Sequence, residues 1–292
     1  MKILTSCLLT IVASATMAQL PTTDLYMISM TNNGQKISVT DPLYLSGFNP
    51  DGYNNQPYFI NPNQLYITSD LYDNTFTDVV KLDLRRQEYY RVTATDSISE
   101  YSPTPRAIRG FFSTVRVEKD MSTQSLWLYP KDHQSYGHRV LTDIGTVGYH
   151  CWISEEEVAL FLVGTPMTLA IGNISDNTTN TIVEDIGRCF RQQSDGSLLF
   201  VHKVTEESWY IKAYDPESGQ VSIVTRTRPD SEDFELLKDG NIIMGEGSKL
   251  YIIDPSTDEY WSELTDLAEF GITNISRLAE SRNQLVIVDN PK

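Results

Sequence analysis

The chain has 292 residues, of which 40% are hydrophobic, and it carries 39 acidic side chains against 23 basic ones, a formal net charge of -16. This length and composition are enough for a sizeable core in one or two domains. The acidic balance offers no basic footprint for phosphates, which argues against a nucleic-acid partner and against binding to anionic membrane surfaces.

The N-terminal residues have the pattern of a secretory signal. A lysine is followed by an apolar stretch over 3–13 and by small residues ahead of Gln19, the order of regions in a signal peptide. We therefore expect 1–18 to be a signal peptide and 19–292 to be the mature protein, in one domain. Lipidation at Cys7 is the alternative, but almost no apolar segment precedes it. No later segment is apolar for long enough to cross a bilayer, and the predicted location is periplasmic or extracellular.

The mature chain repeats a pattern of four short strands at intervals of roughly 38 to 48 residues, the spacing of propeller blades. In chain order, the short first strands lie near 58–60, 106–108, 151–153, 189–191, 234–236 and 276–278. Apolar second strands follow at 65–68, 158–162, 198–201, 242–244 and 285–288. Third strands lie at 79–84, 126–129, 169–171, 209–215 and 250–254, each before a more polar fourth strand. A β-sandwich has no reason to repeat its strands at fixed intervals.

The two ends of the mature chain complete each other. The last unit has only two strands before Lys292, and the N-terminal strands at 25–28 and 36–39 have no partners of their own. Pairing them completes a blade and closes a ring, which buries sheet edges that otherwise recruit other chains. The sequence therefore predicts an all-β fold, a six-bladed β-propeller of four-stranded antiparallel blades closed by N-terminal and C-terminal strands in one blade.

Several segments resemble a known family. Residues 77–84 and 91–93 are similar to the repeat of TolB-like β-propellers in exported bacterial proteins, and 100–104 and 147–150 resemble a group of exported propellers without an assigned activity. The resemblance covers essentially the whole mature chain, although 59–63 departs from the family's usual aromatic-Ser-Pro-Asp-Gly turn. It implies a fold more than a function, since propellers host many activities.

A functional site is predicted where the loops leading into the innermost strands open onto one mouth of the central channel. Separate blades would bring polar groups together there, which is the usual form of a binding site. The side chains assigned to this mouth are Asn55, Gln56, Glu100, Tyr101, Tyr149, His150, Trp152, Arg188, Glu232, Asp233 and Asn274. The alternative is that these are ordinary solvated turns, which are polar for backbone reasons alone.

Two of these residues have a second interpretation. Arg188 could pair with an anionic ligand through its planar fork, but neutralising Glu232 or Asp233 is the favoured role. His150 could join Glu100 and Asp233 in an oxygen-rich site for a divalent metal with one imidazole. No local spacing supports such a site, and the other interpretation is a histidine hydrogen-bonded at the channel edge. No cofactor is otherwise predicted.

Cysteines and tryptophans are predicted to be structural. Cys151 and Cys189 occupy the same position in the innermost strands of adjacent blades. Facing sheets lie about 10 Å apart, whereas a disulfide needs α-carbons within about 7 Å, so two buried free thiols are expected. The residues expected to wedge between blades are Trp127, Trp152, Trp209 and Trp261, of which Trp152 is the best placed to face a ligand.

The leading functional hypothesis is a non-catalytic, monomeric binding protein, which presents the polar mouth or a flat face to an envelope protein or a small ligand. TolB-like propellers are often interaction scaffolds, and the sequence has no nucleophile elbow, zinc-protease motif or phosphate-binding loop. The alternative is a divalent-metal-dependent hydrolase or lactonase at the same mouth, with ligands drawn from Asn55, Glu100, Asp233 and Asn274.

Overall fold

The protein is described by a computed structural model over residues 20–32, 37–73, 75–105, 110–131 and 136–291. The predicted signal peptide at 1–18 lies outside these residues. Across the described ranges the chain forms 25 strands and a 3-10 turn at Ala268–Phe270. None of its described helices is long and apolar enough to span a bilayer.

The strands form six antiparallel sheets. The first three strands belong to the last blade and are β1 (Asp24–Asn32), β2 (Ile37–Val39) and β3 (Leu43–Tyr44). Blade 1 contains, from the inside outwards, β4 (Asn54–Asn61), β5 (Gln64–Ser69), β6 (Asp78–Asp83) and β7 (Glu88–Arg91). Blade 2 contains β8 (Ser99–Pro105), β9 (Phe111–Val117), β10 (Gln124–Pro130) and β11 (His138–Val140).

The remaining blades follow the same order. Blade 3 contains β12 (Thr146–Trp152), β13 (Glu157–Val163), β14 (Thr168–Asn173) and β15 (Thr178–Glu184). Blade 4 contains β16 (Ile186–Gln192), β17 (Leu198–Thr205), β18 (Ser208–Tyr214) and β19 (Val221–Arg226). Blade 5 contains β20 (Phe234–Leu236), β21 (Ile242–Glu246), β22 (Lys249–Ile253) and β23 (Ser262–Asp266). Blade 6 combines β24 (Ile275–Ser281) and β25 (Gln284–Asp289) with β1 and β2, and β3 also pairs with β1.

The ring closes as the sequence predicts. Strand β1 pairs antiparallel with β25, in a register that runs from Asp24 opposite Asp289 to Ser29 opposite Gln284. The N-terminal segment thus supplies the third strand of a blade whose first two strands lie at the C-terminal end of the described chain. The predicted six-bladed β-propeller is confirmed.

Six apolar clusters hold the blades together, one between each neighbouring pair. Because both faces of a blade are covered, its second strand is apolar on both sides; in β5, Leu65 and Ile67 pack towards blade 6, and Tyr66 packs towards blade 2. The outermost strands are mostly exposed, as in β7. This explains why continuous apolar runs alternate with polar fourth strands in the sequence.

The tryptophan prediction is confirmed, and the prediction of two buried free thiols is confirmed except for the burial of Cys151. Both thiols are free, with Cys189 buried and Cys151 half-buried. Each of the four tryptophans packs against a cluster between two blades, and Trp152 is the most buried of them.

The innermost strands begin earlier than the sequence suggests. Four of the segments treated as loops are already paired strand, in β4, β8, β12 and β16. In blade 2 the innermost strand is Ser99–Pro105, and the stretch predicted near 106–108 lies outside the described residues. Strand β8 is polar, holds two prolines and has a bulge between Tyr101 and Thr104. Proline is tolerated there because this strand is the channel-side edge of its sheet.

Candidate ligand site in the central channel

The innermost strands surround a cavity of about 450 Å³ on the channel axis. Every blade contributes to its wall. The lining segments are 56–58 of β4, 102–105 of β8, 149–152 of β12, 188–192 of β16, then Asp233, Glu235 and Leu236 at β20, and Arg277 and Leu278 of β24. The ring therefore gathers residues from six distant parts of the chain around one space.

An ionic network crosses the cavity wall between blades 4, 5 and 6. Arg188 donates to Asp233 Oδ2 through Nε at 2.8 Å and Nη2 at 2.6 Å, and Arg277 Nη1 donates to Oδ1 at 3.1 Å. Arg277 Nη2 also donates to the hydroxyl of Tyr149 at 2.7 Å. Burial alone would raise the pKa of Asp233, but the two guanidinium groups hold it below the usual value. The carboxylate is therefore ionised at neutral pH.

A second ion pair lies further along the same strands. Arg191 donates to both carboxylate oxygens of Glu235, at 2.8 and 3.0 Å, and to the carbonyl oxygen of Leu278 at 3.0 Å. Arg188 and Arg191 are three residues apart, a spacing that puts side chains on opposite faces of a regular strand. The pairing of β16 shifts register between Ile186 and Phe190, and such a bulge resets the alternation so that both arginines can face the channel.

Two residues that line the cavity each carry a buried polar atom with no hydrogen-bond partner among the described residues. The two atoms are Nδ1 of His150 and Oγ of Ser102, in residues that are only 8% and 9% exposed. Burial lowers the pKa of His150 to about 3, so its imidazole is neutral at physiological pH. A buried donor or acceptor without a partner destabilises the folded state by about 1–3 kcal/mol. Such atoms are therefore candidates for contact with a bound molecule.

The other ring nitrogen of His150 has a structural role. Nε2 lies 2.6 Å from Ser113 Oγ, and Trp152 Nε1 donates to the same hydroxyl at 2.9 Å. A serine beside a histidine is a familiar catalytic pair, but Ser113 is fully buried and is not part of the cavity wall. An imidazole with a pKa near 3 is also a weak base at neutral pH. This pair therefore fits the expected histidine hydrogen-bonded at the channel edge.

Replacing Ser102 by alanine is expected to leave the free protein as stable as the wild type or more stable by about 1 kcal/mol, because it removes a buried hydroxyl that has no partner. Urea unfolding monitored by circular dichroism measures the difference. The matched control is Ser113→Ala, which removes a hydroxyl that is bonded to His150 and Trp152 and is expected to destabilise by about 1–3 kcal/mol. Equal losses in the two variants would contradict the assignment of Ser102.

The structure brings six of the eleven predicted side chains to this cavity. Those that line it are Gln56, Tyr149, His150, Trp152, Arg188 and Asp233. Gln56 also joins two blades, since its Oε1 accepts from Thr68 Oγ1 and from the backbone N–H of Ser102, both at 2.8 Å. Arg188 pairs with Asp233 and lies 3.6 Å from Glu232, which is the charge-neutralising role predicted for it.

The other five predicted side chains do not line the cavity and have local partners. Asn55 accepts from the backbone N–H of Gln56, and Asn274 donates to the carbonyl oxygen of Asn290, both at 2.7 Å. Glu232 pairs with Lys203 at 2.9 Å. Tyr101 packs edge-on against Tyr53, and Glu100 is completely buried between blades 1 and 2.

The side chains considered for a divalent metal do not meet. Glu100 accepts from Thr93 and Tyr129 in the interface between blades, whereas both oxygens of Asp233 accept from arginines in the channel. Over the described ranges, no group of three or more His, Cys, Asp or Glu side chains is placed to hold a metal ion. These residues therefore do not fit the divalent-metal alternative.

Sequence reasoning missed part of the cavity wall. Four lining residues lie within the innermost strands, outside the loops that the sequence assigns to the site: Arg191, Glu235, Arg277 and Tyr58. A search for charged residues inside the short first strand of each blade would find the first three, because a charged side chain on a buried strand needs a partner or a channel.

Comparisons with known proteins identify the fold. No model of a known protein family matches the sequence, and no curated protein matches it either. Among solved structures, TolB from Acinetobacter baumannii is 13% identical, with a TM-score of 0.60 over 82% of this chain, which spans 63% of that protein. A putative TolB from Agrobacterium tumefaciens is 10% identical, with a TM-score of 0.66 over 92% of this chain and 98% of that one.

A third similar structure is an oligogalacturonate lyase in complex with manganese, 11% identical, with a TM-score of 0.58 over 88% of this chain and 83% of that one. Enzymes and TolB proteins thus share one architecture at these low identities, which carry information about the fold alone. The resemblance read from the sequence is confirmed at that level: this chain has the six-bladed fold of the TolB-like propellers.

Proposed function

We propose that this protein is a non-catalytic binding protein, exported to the periplasm or the extracellular space, that holds a small ligand in its central channel. The observation that supports the proposal most is the pair of buried, unpartnered atoms, Nδ1 of His150 and Oγ of Ser102, on the wall of one cavity. A cavity of about 450 Å³ is large enough for a small metabolite, within the usual range of ligand pockets.

Ion pairs fix the arginines of the cavity wall in the free protein. Arg188 and Arg277 are held by one carboxylate, and Arg191 is held by another through two parallel hydrogen bonds. Bidentate pairs of this kind fix the orientation of the guanidinium plane. Preorganised groups lose little conformational freedom on binding, which favours affinity for a ligand of the right shape. The innermost strands therefore supply a preorganised binding site.

The binding role is favoured over the hydrolase alternative for two reasons. The carboxylates considered as metal ligands are separated and already bonded, and the histidine in the channel is neutral and attached to a buried serine. A protein partner at the flat face is the other form of the scaffold hypothesis. The small ligand is favoured because the unpartnered atoms belong to residues that line the channel cavity.

The proposal is tested by filling the channel. Cys151→Phe adds a large ring to a residue that lines the cavity. The control, Ile223→Phe, adds a ring on an outer strand, where the side chain is 64% exposed. Melting temperatures are measured with a panel of amino acids, organic acids and sugars. A ligand that binds only the folded state raises the melting temperature. We expect this shift in the wild type and in Ile223→Phe, but not in Cys151→Phe; an equal shift in all three proteins would contradict a site in the channel.

A further inference from the structure

The charges that line the cavity do not cancel. Three guanidinium groups, those of Arg188, Arg191 and Arg277, face two carboxylates, those of Asp233 and Glu235. The nearby carboxylate of Glu232 is balanced by Lys203, which lies 2.9 Å away. Among the described residues, the cavity wall therefore carries a formal charge of one positive unit, inside a chain whose net charge is -16.

The other ionisable groups of the wall are neutral. His150 is uncharged at physiological pH because burial holds its pKa at about 3. Burial also raises the pKa of Cys151 to about 11 and that of Cys189 to about 12, so both side chains are thiols rather than thiolates. The single excess positive charge thus comes from the arginines.

Arg188 combines an unbonded guanidinium nitrogen with an accessible side chain. Its bonds to Asp233 and to the carbonyl oxygen of Ser276 use Nε and Nη2, which leaves Nη1 without a bond to the described residues. Arg191 uses all three of its nitrogens on protein acceptors. Arg277 is more enclosed, with a side chain that is 13% exposed, against 31% for Arg188. A ligand in the cavity can therefore reach Arg188 without displacing an existing ion pair.

We propose that the ligand of the central channel is a small organic acid whose single carboxylate binds Arg188. The inference rests on the proposed function and adds the chemical class of the ligand. One negative charge compensates the cavity, whereas a phosphate dianion would overcompensate it. The unbonded Nη1 of the Arg188 guanidinium can donate a charge-assisted hydrogen bond to that carboxylate.

The other lining residues indicate which groups the ligand carries besides its carboxylate. Tyr58, Trp152 and Leu278 provide apolar and aromatic surface, which suits a hydrocarbon or aromatic body. His150 Nδ1 and Ser102 Oγ are uncharged and unpartnered, so they suit a neutral hydrogen-bonding group such as a hydroxyl or an amide. An organic monocarboxylate with such a group matches both the charge and the uncharged part of the cavity wall.

Matched pairs of acid and amide test the class of ligand. Titration calorimetry measures the affinities of 4-hydroxyphenylacetate, hexanoate and N-acetylglycine and of the carboxamide of each acid. The proteins compared are the wild type, Arg188→Gln and Arg226→Gln. Arg226 lies on the exposed outer strand β19, where it donates to the carbonyl oxygen of Glu207, so its variant makes the same charge change far from the channel. We expect at least one acid to bind roughly tenfold or more tightly than its amide, as charge-assisted hydrogen bonds allow. Arg188→Gln removes this preference and Arg226→Gln keeps it.

Other outcomes overturn the inference in distinguishable ways. Equal binding of acid and amide contradicts the carboxylate but leaves the channel site intact. The carboxylate is likewise contradicted, and the channel site kept, if none of the acids binds but a neutral compound of the melting-temperature panel does. Such a compound would raise the melting temperature of the wild type and not that of Cys151→Phe. If Arg188→Gln still binds the acid more tightly than the amide, the carboxylate binds a residue other than Arg188. If the glutamine variant does not fold, Arg188→Lys takes its place, because it keeps the charge but lacks the Nη1 group. An acid affinity equal to that of the wild type would then contradict the role of Nη1.

Discussion

Deletion of residues 20–44 is expected to abolish the cooperative unfolding transition of the propeller. This segment contains β1, which pairs with β25 along six residues and buries Leu25 and Ile28 completely. Without it, the fully buried strand 285–288 would become an exposed apolar edge, the kind of edge that recruits other chains. Urea unfolding followed by circular dichroism and by tryptophan fluorescence, with size-exclusion chromatography, measures the loss of the transition and the expected aggregation.

Point variants test the same closure without removing a strand. Leu25 packs in the cluster between blades 6 and 1, and Ile28 packs in the cluster between blades 5 and 6. Each alanine variant is expected to lose about 2–5 kcal/mol of unfolding free energy, the usual effect of truncating a buried aliphatic side chain. The control Ile223→Ala, on an exposed outer strand, should change it by no more than about 0.5 kcal/mol. A deletion protein that unfolds as cooperatively as the wild type would show that the N-terminal strands do not close the ring.

This closure could be predicted from the sequence because strand type and position repeat from blade to blade. A two-strand unit at 275–289 and a two-strand segment at 24–39 are complementary only if they share a sheet. Apolar runs identify the second and third strands for a similar reason, since both of their faces are covered by neighbouring blades. Long, repeated and doubly buried elements leave the clearest pattern in a sequence.

The innermost strands left a weaker pattern. Strand β8 reads Ser-Glu-Tyr-Ser-Pro-Thr-Pro, without apolar alternation, and its bulge removes what periodicity remains. A strand that borders a channel pairs on one side only and faces polar surroundings, so neither propensity nor hydrophobic period marks it. The register of these strands decides which side chains face the channel, and bulges of one residue change it. Arg191 and Glu235 escaped prediction for this reason, whereas Arg188 and Asp233 were found by their place near the strand starts.

Glu100 shows the difference between a polar residue at a site and a polar residue in a core. Its position resembles that of a channel carboxylate in the sequence, yet it is fully buried between blades 1 and 2, where it accepts from Thr93 at 3.2 Å, from Tyr129 at 3.3 Å and from Thr95. Burial, the largest cause, raises the pKa of Glu100 to about 7, and the charge of Asp78 adds to the effect.

This raised pKa predicts that Glu100 makes the fold less stable as pH rises. Between about 4.5 and 7 the folded protein keeps a proton that the unfolded chain has already lost, so the free energy of unfolding falls across that window. Above it, both states are ionised and the full effect is present. The gap between the ordinary value of 4.5 and about 7 corresponds to roughly 3 kcal/mol.

Glu100→Gln is therefore expected to exceed the wild type by no more than about 1 kcal/mol near pH 5 and by roughly 3 kcal/mol near pH 8. Glutamine keeps the shape of the side chain and cannot ionise, so the buried charge never forms. Unfolding free energies from urea titrations at pH 5, 6, 7 and 8 measure the divergence, and the comparison cancels the titration of every other group. Glu217→Gln, in an exposed turn, is the control and should run parallel to the wild type. Parallel curves for Glu100→Gln would mean that the carboxyl ionises freely in the folded protein, which a completely buried position does not allow.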